Sequence, residues 1–424
     1  MQQDQDFIKF DQGLRLVVKN IPHFHSVSLG IFIKTGLNDE PLDVNGISHV
    51  LEHMSFKGTK TRSAKQIADL VDTLGGNINA YTSKEYTCYY LTVLADHIDE
   101  GITLLSDIFL NSKLDEKDLA LEKQVILEEI NMYEDTPDEN IHDLFSSTIW
   151  QNTKLGLPII GTKETVNSIS KKSLQEYKEN YLDFSRVIVV VAGKVINQPR
   201  LVKKIEKLFA VENKNTNLIE QKKAIVTPKV FFKEKETEQI HLCLGFEGLA
   251  YNHADHYVLL LLNSILGETM SSRLFQELRE KRGLCYSIFS YASFFEKNGL
   301  LAIYSGVSKE NFKKTIDLIY KELQKLTKNA ITVKEFYKAK EHLKGSLAIG
   351  LEKSSSWLGF FARMLIYYDE LFTLDDVLKK INKVTLDDLN RVAYDLIKPE
   401  KFALAGVGPF SQLKLPSNIN EFLF

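Results

Sequence analysis

Two histidines with a glutamate between them form the stretch of the sequence best suited to chemistry. His49, Glu52 and His53 lie in the run His-Val-Leu-Glu-His. On a helix the two histidines are one turn apart on one face, so both imidazoles can bind a single ion. Glu52 lies on the same side. A zinc ion with a carboxylate beside its open position is the arrangement that activates water for hydrolysis, and the spacing therefore predicts a hydrolytic metal site.

The surrounding residues predict the helix that this site needs. Asn45 is a favourable N-cap residue, and apolar residues follow at helical spacing: Ile47, Val50, Leu51 and Met54. The alternative is that the histidine pair is a coincidence among the 10 histidines of the chain. A third ligand elsewhere in the sequence would argue against this alternative.

A catalytic zinc usually takes three protein ligands and a water, so a third ligand is required. A long amphipathic helix is predicted from Asp115 to Glu134, with an apolar side formed by Leu119, Val125, Ile126 and Ile130. Glu122 and Glu129 are seven residues apart on this helix and share a face, whereas Glu128 points about 100° away. The periodicity favours the pair Glu122 and Glu129; the alternative is that all three are solvated surface charges.

These motifs resemble the pitrilysin and insulinase family of zinc peptidases, whose H-x-x-E-H signature is that of the inverzincins. The likeness covers nearly the whole chain and is closest to the half-length branch that contains the mitochondrial processing peptidase β subunit and bacterial relatives. It rests on His49, Glu52 and His53 and on segments such as LEKQVILEEINMYEDTP, GGNINAYTSKEYTCYY and RLFQELREKRGLCYS. The resemblance implies that Glu129, 76 residues after the second histidine, is the third zinc ligand, and that Glu122 steadies a ligand histidine.

The resemblance also implies residues that bind substrate. An exposed edge strand, formed by Asn77, Ile78, Asn79, Ala80, Tyr81 and Thr82, corresponds to the strand on which such enzymes hold an extended peptide. Its polar, short sequence is typical of an exposed edge. Phe56 corresponds to the aromatic residue that lines the pocket after the cleaved bond.

Four further residues correspond to substrate-contacting residues of the family that the chain resembles. Arg279 and Tyr286 correspond to a pair that contacts substrate near the zinc and could stabilise an oxyanion, either within the chain or from a neighbouring one. Glu139 and Asp143, one helical turn apart, correspond to the acidic pair that the processing peptidase uses for an arginine before the cleavage site. A solvated helix face is the alternative for this acidic pair.

Length and patterning predict two related domains. The chain has 424 residues, more than one hydrophobic core usually holds. Similar elements recur at an offset of ~213 residues, as tandem duplication of one domain leaves them. At an offset of 212, His49, Glu52 and His53 align with Leu261, Ser264 and Ile265. We expect an α+β fold of two similar domains, each a mainly antiparallel sheet with packed helices: a catalytic domain 1–212, a linker 213–229 and a metal-free domain 230–424.

Composition limits the classes of partner. The net charge is −3 without a basic stripe, which argues against nucleic acid, and the apolar runs are too short for a membrane span. Three cysteines, an odd number in apolar stretches, indicate a reducing compartment. The N-terminus has no signal or transit pattern. These features favour the bacterial cytoplasm over the mitochondrial matrix.

The motif and the resemblance together predict an endopeptidase with one zinc per chain. The resemblance implies that it cuts short unstructured peptides or presequence-like segments, and, through Glu139 and Asp143, that it cuts near basic residues. The resemblance implies a homodimer, or a heterodimer with a related subunit. Two rival interpretations remain: a non-catalytic subunit of a processing-peptidase-like complex, and an enzyme active only with an unlike partner. The presence of all four of His49, Glu52, His53 and Glu129 argues against the first.

Overall fold

The strands of the computed structural model form two separate sheets. The structure describes residues 5–211, 213, 222–328 and 331–413. In chain order the strands are β1 (Gln5–Lys9), β2 (Arg15–Asn20), β3 (Ser26–Ile33), β4 (Asn77–Thr82), β5 (Thr87–Leu94), β6 (Val187–Gly193), β7 (Lys229–Glu234), β8 (Ile240–Glu247), β9 (Cys285–Phe294), β10 (Gly299–Val307) and β11 (Phe402–Gly408).

Helices fill most of the sequence between the strands. They are α1 (Ile47–Ser55), α2 (Ala64–Thr73), α3 (Ile98–Asn111), α4 (Glu116–Asp135), α5 (Pro137–Ile149), α6 (Lys163–Ser168), α7 (Lys171–Glu179), α8 (Gln198–Leu208), α9 (His256–Asn263), α10 (Phe312–Thr327), α11 (Val333–Gly350), α12 (Ser354–Tyr367), α13 (Leu374–Lys383) and α14 (Leu386–Leu396). Within the described part of the chain, none is long and apolar enough to cross a membrane.

The described residues group into two compact units. Unit 1 takes its residues from Met1–Asn131, Pro158–Gln221 and Gly350–Leu371, and unit 2 from Met132–Leu157, Lys222–Ile349 and Phe372–Phe424. A contiguous division at residues 212 and 230 does not reproduce this grouping, because α5 packs on β8 and β11 in unit 2 whereas α12 packs on β3 and β6 in unit 1. Residues 214–221 of the predicted linker lie outside the described residues.

Unit 1 is built on a six-stranded sheet in the order β1-β2-β6-β3-β5-β4. The β2–β6 pair is parallel and the other pairs are antiparallel. The central strand β6 is buried along its whole length, which its sequence VIVVVAG suits. One face of the sheet forms the core with side chains of α1 to α4, α7 and α8, and α12 packs on the strands from outside that cluster.

Among the residues that the structure describes, unit 2 repeats the arrangement of β2 to β6 of unit 1, and none of its described strands corresponds to β1. Its order is β7-β11-β8-β10-β9, again with one parallel pair, β7–β11, followed by antiparallel pairs. The side chains of α5 pack into its core through Ile141, Phe145 and Ile149. The predicted fold class, α+β with two similar, mainly antiparallel domains, is confirmed.

Candidate metal centre and active site

Helix α1 carries the histidine pair and begins one residue later than the sequence predicted. Its N-cap is Gly46, whose φ of 94° lies in the left-handed region. A Cβ atom at this position would lie 2.7 Å from the carbonyl oxygen of Ile160, so glycine is also required sterically. The prediction of Asn45 as the N-cap is wrong, because its side chain instead donates to Glu40 and to the carbonyl of Pro158.

Glu40 takes the capping role that the sequence analysis gave to Asn45. Its carboxylate accepts hydrogen bonds from the backbone N–H groups of Gly46 at 2.7 Å and Ser48 at 3.0 Å. Burial raises the pKa of Glu40, and the bonds from Gly46, Asn45 and Ser48 oppose that rise. An acid at a helix N-terminus satisfies N–H groups that have no partner within the helix. Glu40 therefore fixes the start of the helix that carries the histidines.

The structure brings His49, His53 and Glu129 together. One ligand atom from each lies within 4.8 Å of the others, and Glu129 Oε2 is 3.9 Å from the Nε2 atoms of both histidines. Two imidazole nitrogens and one carboxylate oxygen form a donor set that suits zinc and leaves a fourth position for water. The three residues therefore fit a catalytic zinc ion.

The protonation of the two histidines is compatible with metal binding. Burial, and to a lesser extent the neighbouring His53, lowers the pKa of His49 to about 3, so its ring is neutral and keeps a lone pair. His53 Nδ1 is 2.9 Å from Glu122 Oε1. Because a carboxylate only accepts, this hydrogen bond places the proton on Nδ1 and leaves the Nε2 lone pair towards Glu129.

Glu122 supports the centre from the buried face of α4. Only 5% of the residue is exposed, and its second oxygen pairs with Lys57. The buried positions of the helix are Leu119, Glu122, Ile126 and Ile130. Val125, which the sequence analysis placed on the apolar side, is 52% exposed. That prediction is wrong, because the buried stripe runs through positions 119, 122, 126 and 130, and Val125 lies about 100° from Ile126 around the helix.

Removing the Glu122 carboxylate is expected to weaken zinc binding by about 10–100-fold, because His53 loses the acceptor that fixes its ring. Glu122→Ala tests this by titration against a competing chelator. Glu128→Ala is the matched control, since Glu128 lies on the same helix and is exposed. Equal zinc affinity of the Glu122 and Glu128 variants would contradict the supporting role.

Glu52 lies beside the donor set and is held by strand β4. Thr82 Oγ1 donates a 2.6 Å hydrogen bond to Glu52 Oε2. Burial raises the pKa of Glu52, and the bond from Thr82 opposes this rise. A carboxylate in this position can accept and return a proton.

Strand β4 lies at one edge of the unit 1 sheet, and β5 is its only partner among the strands that the structure describes. Asn77, Asn79 and Tyr81 are exposed along it, whereas Ala80 is buried and Thr82 turns towards Glu52. Phe56 follows the last residue of α1, is half-buried and packs against the core. The strand thus has the exposed backbone edge that an added peptide strand needs.

The remaining predicted site residues lie in unit 2. The Arg279 guanidinium is 5.0 Å from the ring centroid of Tyr286, which is 80% exposed, and 4.7 Å from that of Phe275. Glu139 is exposed on the first turn of α5, and Asp143 is half-buried one turn later. Arg279 and Tyr286 are therefore in contact with each other, and their contact with substrate near the zinc stays a prediction.

The sequence reasoning missed the roles of Glu40, Thr82 and Lys57 at this centre. Glu40 stands in an acidic loop, NDEPLD, where spacing does not distinguish one acid from another. Thr82 belongs to the predicted edge strand, but its bond to Glu52 joins residues 30 positions apart. A search for the hydrogen-bond and charge partners of α1, Glu52 and Glu122, possible only once the fold is known, finds all three.

Taken together, two similar α+β units and three grouped donors beside the half-buried carboxylate of Glu52 are the features expected of a zinc-binding hydrolase built on tandem domains. Unit 2 has kept the fold but has Leu261, Ser264 and Ile265 where unit 1 has its motif, all of them buried.

Comparison with known proteins identifies the family. The model of the insulinase family, peptidase family M16, matches residues 15–163, and the model described as the peptidase M16 inactive domain matches residues 168–343. The chain belongs to the insulinase family, peptidase M16, and the predicted resemblance is confirmed.

Similar proteins share almost the full length of the chain. A Bacillus subtilis protein named as an uncharacterized zinc protease is 43% identical over 94% of this chain and 96% of its own length. A Streptomyces coelicolor protein with the same description is 36% identical over 94% of this chain and 88% of its own. The crystal structure of a Helicobacter pylori protease has a TM-score of 0.88 at 24% identity, covers 96% of this chain and 99% of that one, and so supports the fold.

Proposed function

We propose that this chain is a zinc-dependent endopeptidase that hydrolyses short unstructured peptides or presequence-like segments. The observation that carries the proposal is the grouping of His49, His53 and Glu129 beside Glu52, which Thr82 holds in place. Membership of the insulinase family and relatives named zinc proteases support a peptidase that uses zinc.

In the proposed hydrolysis, the bound metal, Glu52 and strand β4 each have a separate role. A bound zinc ion would supply Lewis-acid activation of water and of the peptide carbonyl. Glu52 takes a proton from the attacking water and gives it to the leaving amine. Strand β4 binds the peptide backbone by strand addition, which selects extended segments with little regard to their side chains.

The purified chain, assayed alone for bound metal and for cleavage of a fluorogenic peptide, tests the proposal. We expect one zinc per chain and an activity that a chelator removes and added zinc restores. Absence of zinc would favour a non-catalytic subunit. Zinc without activity, followed by activity when a related subunit is added, would favour a partner-dependent enzyme.

Assembly and location are further parts of this proposal. A homodimer would supply Arg279 and Tyr286 of one chain to the peptide held by another, and an active monomer on a sizing column would contradict delivery between chains. A cytoplasmic location is proposed because the three cysteines are free and buried, as they would be in a reducing compartment.

Cleavage before or near basic residues is proposed from Glu139 and Asp143. If their carboxylates bind an arginine side chain, Glu139→Ala with Asp143→Ala should lower kcat/KM for an arginine-containing peptide by about tenfold or more, because a charge-assisted hydrogen bond is lost. The same peptide with glutamine in place of arginine should be little affected. The matched control is Asp69→Ala with Asp72→Ala, which removes two exposed charges from α2. An unchanged preference for the arginine-containing peptide would contradict the assignment of Glu139 and Asp143 to an arginine-binding subsite.

A further inference from the structure

Two buried tyrosines form hydrogen bonds with the inward side of α1, the helix that carries the histidine pair. The hydroxyl oxygen of Tyr177 is 2.7 Å from Ser48 Oγ, in the first turn of the helix. The hydroxyl oxygen of Tyr89 is 3.1 Å from Ser55 Oγ, at the last residue of the helix. None of these four residues is more than 4% exposed. Both ends of α1 are thus bonded to other elements of unit 1.

Each tyrosine is itself fixed within unit 1. Tyr177 belongs to α7 and also donates to the carbonyl oxygen of Gly36 at 3.3 Å. Tyr89 belongs to β5, which pairs with a strand on either side. Burial raises the pKa of both hydroxyls well above the usual value, so both remain protonated and able to donate. The two bonds therefore connect α1 to a second helix and to the middle of the sheet.

Apolar residues hold α1 on the core, and the two hydroxyl pairs add a preferred rotation. The apolar residues are each at most 1% exposed: Ile47, Val50, Leu51 and Met54. Burial of apolar surface is not directional, whereas a hydrogen bond weakens steeply as its angle departs from linear. Ser48 and Ser55 are seven residues apart and lie within about 20° of each other around the helix. A rotation of α1 about its axis would therefore distort both bonds together.

The metal centre depends on that rotation. Functional sites must be held within about 0.5 Å and 10–20° of their working geometry. The Nε2 atoms of both histidines are 3.9 Å from Glu129 Oε2, which belongs to another helix, so turning α1 would move both imidazoles relative to this carboxylate. We propose that Tyr177 and Tyr89 are positioning residues that keep His49 and His53 in the zinc-binding orientation. This inference rests on the metal centre of the proposed function.

The corresponding helix of unit 2 has aliphatic residues where unit 1 has tyrosines. Helix α14 packs on α9 as α7 packs on α1. Three buried residues recur at the same spacing in the two units: Leu174, Tyr177 and Tyr181 in unit 1, and Leu389, Val392 and Leu396 in unit 2. Leucine and valine thus satisfy the packing in the unit without the His-x-x-Glu-His motif. The Tyr177 hydroxyl is an addition to that packing, as expected of a group that serves the metal centre.

Phenylalanine at each position tests the proposal, because it removes the hydroxyl and keeps the ring. We expect Tyr177→Phe and Tyr89→Phe each to weaken zinc binding by about threefold to fivefold, and the double variant by at least about tenfold. The loss of one net hydrogen bond lowers the population of the binding orientation by about such a factor. Zinc affinity is measured on the full chain by titration against a competing chelator. Ser55→Ala removes the Tyr89 bond from the helix side and should weaken zinc binding as Tyr89→Phe does.

Two further measurements separate positioning from stability. The absorption spectrum of cobalt(II) bound in place of zinc reports the coordination geometry, and we expect it to change in the double variant. The Tm measured with a chelator reports the cost to the metal-free fold, and all affinities are compared well below that temperature.

Tyr181→Phe is the matched control. Tyr181 is 1% exposed, and its hydroxyl bonds to Thr87 Oγ1 of β5 at 3.1 Å. The change should lower the metal-free Tm about as much as Tyr177→Phe does, because each removes one buried hydrogen bond. It should leave the zinc affinity and the cobalt spectrum unchanged.

Two outcomes would overturn the positioning role. One is a double variant that binds zinc as tightly as the unchanged protein. The other is an equal loss of affinity in Tyr181→Phe, which would mean that zinc binding merely follows the stability of unit 1. A protein that binds zinc but cleaves no peptide would refute only the peptidase, because the zinc affinities still decide the role of the tyrosines. An unchanged protein that binds no zinc would overturn the metal centre and this inference together.

Discussion

Replacing Glu52 by glutamine is expected to lower kcat/KM for a fluorogenic peptide by about 10²–10⁴-fold while zinc remains bound. Glutamine has nearly the shape of glutamate, and its carbonyl oxygen can still accept the hydrogen bond from Thr82, which is 2.6 Å long in the structure. The amide cannot take a proton from water. Glu52 is not one of the three grouped donors, so the metal content should not change.

Two measurements on the same protein separate proton transfer from metal loss. Elemental analysis reports the zinc content, and steady-state kinetics report kcat/KM. Glu128→Gln makes the same chemical change at an exposed position of α4 and should keep full activity. Full activity of Glu52→Gln with zinc bound would refute the proton-transfer role, whereas loss of zinc from it would mean that Glu52 belongs to the donor set.

Local periodicity was sufficient to predict the elements that carry this centre. The helix over His49 and His53, the helix over Glu122 and Glu129, and the β4 edge strand are all present in the structure. Each depends on spacing within one turn or one strand, which the sequence displays directly. The choice of Glu129 over Glu122 as the proposed ligand needed the family resemblance, because both glutamates share the same face of one helix.

Contacts between distant segments could not be predicted in the same way. Glu40 caps α1 through a loop whose path only the fold determines. Glu122 pairs with His53 of α1 and with Lys57, two residues after that helix ends. The packing of α5 on β8 and β11, and of α12 on β3 and β6, could not be predicted for the same reason: each helix is far in sequence from the strands that it covers. An amphipathic pattern shows that a helix buries one face but not which sheet it covers.

The duplicated fold shows that the metal centre is not required for the architecture. Unit 2 reproduces the order of one parallel and three antiparallel strand pairs. At the aligned positions, Leu261 and Ile265 are 0% and 5% exposed, so apolar side chains occupy buried positions where unit 1 has histidines. Burying an imidazole in place of an aliphatic side chain costs free energy unless its nitrogens have partners. Packing alone therefore does not explain the histidines of unit 1, which agrees with the proposed metal centre.

Removal of the Glu129 carboxylate is expected to have the second large effect, a loss of zinc affinity greater than about 100-fold. Changes in residues that merely support a ligand already cost 10–100-fold, and Glu129 Oε2 is the only acidic oxygen of the grouped donors in the described structure. Glu129→Ala leaves two imidazoles, fewer than the three protein ligands of a catalytic zinc site. Peptide cleavage should fall with the zinc content.

Thermal unfolding gives a test of Glu129→Ala that does not depend on activity. A ligand that binds only the folded state stabilises it by about 2.7 kcal/mol at a free concentration 100 times its Kd. Zinc should therefore raise the Tm of the unchanged protein and of Glu128→Ala, but not that of Glu129→Ala at the same concentration. An equal rise in all three would exclude Glu129 as a ligand. Because Glu129 is partly exposed at the surface of α4, its loss should leave the metal-free fold intact, so a missing rise reports on the metal centre itself.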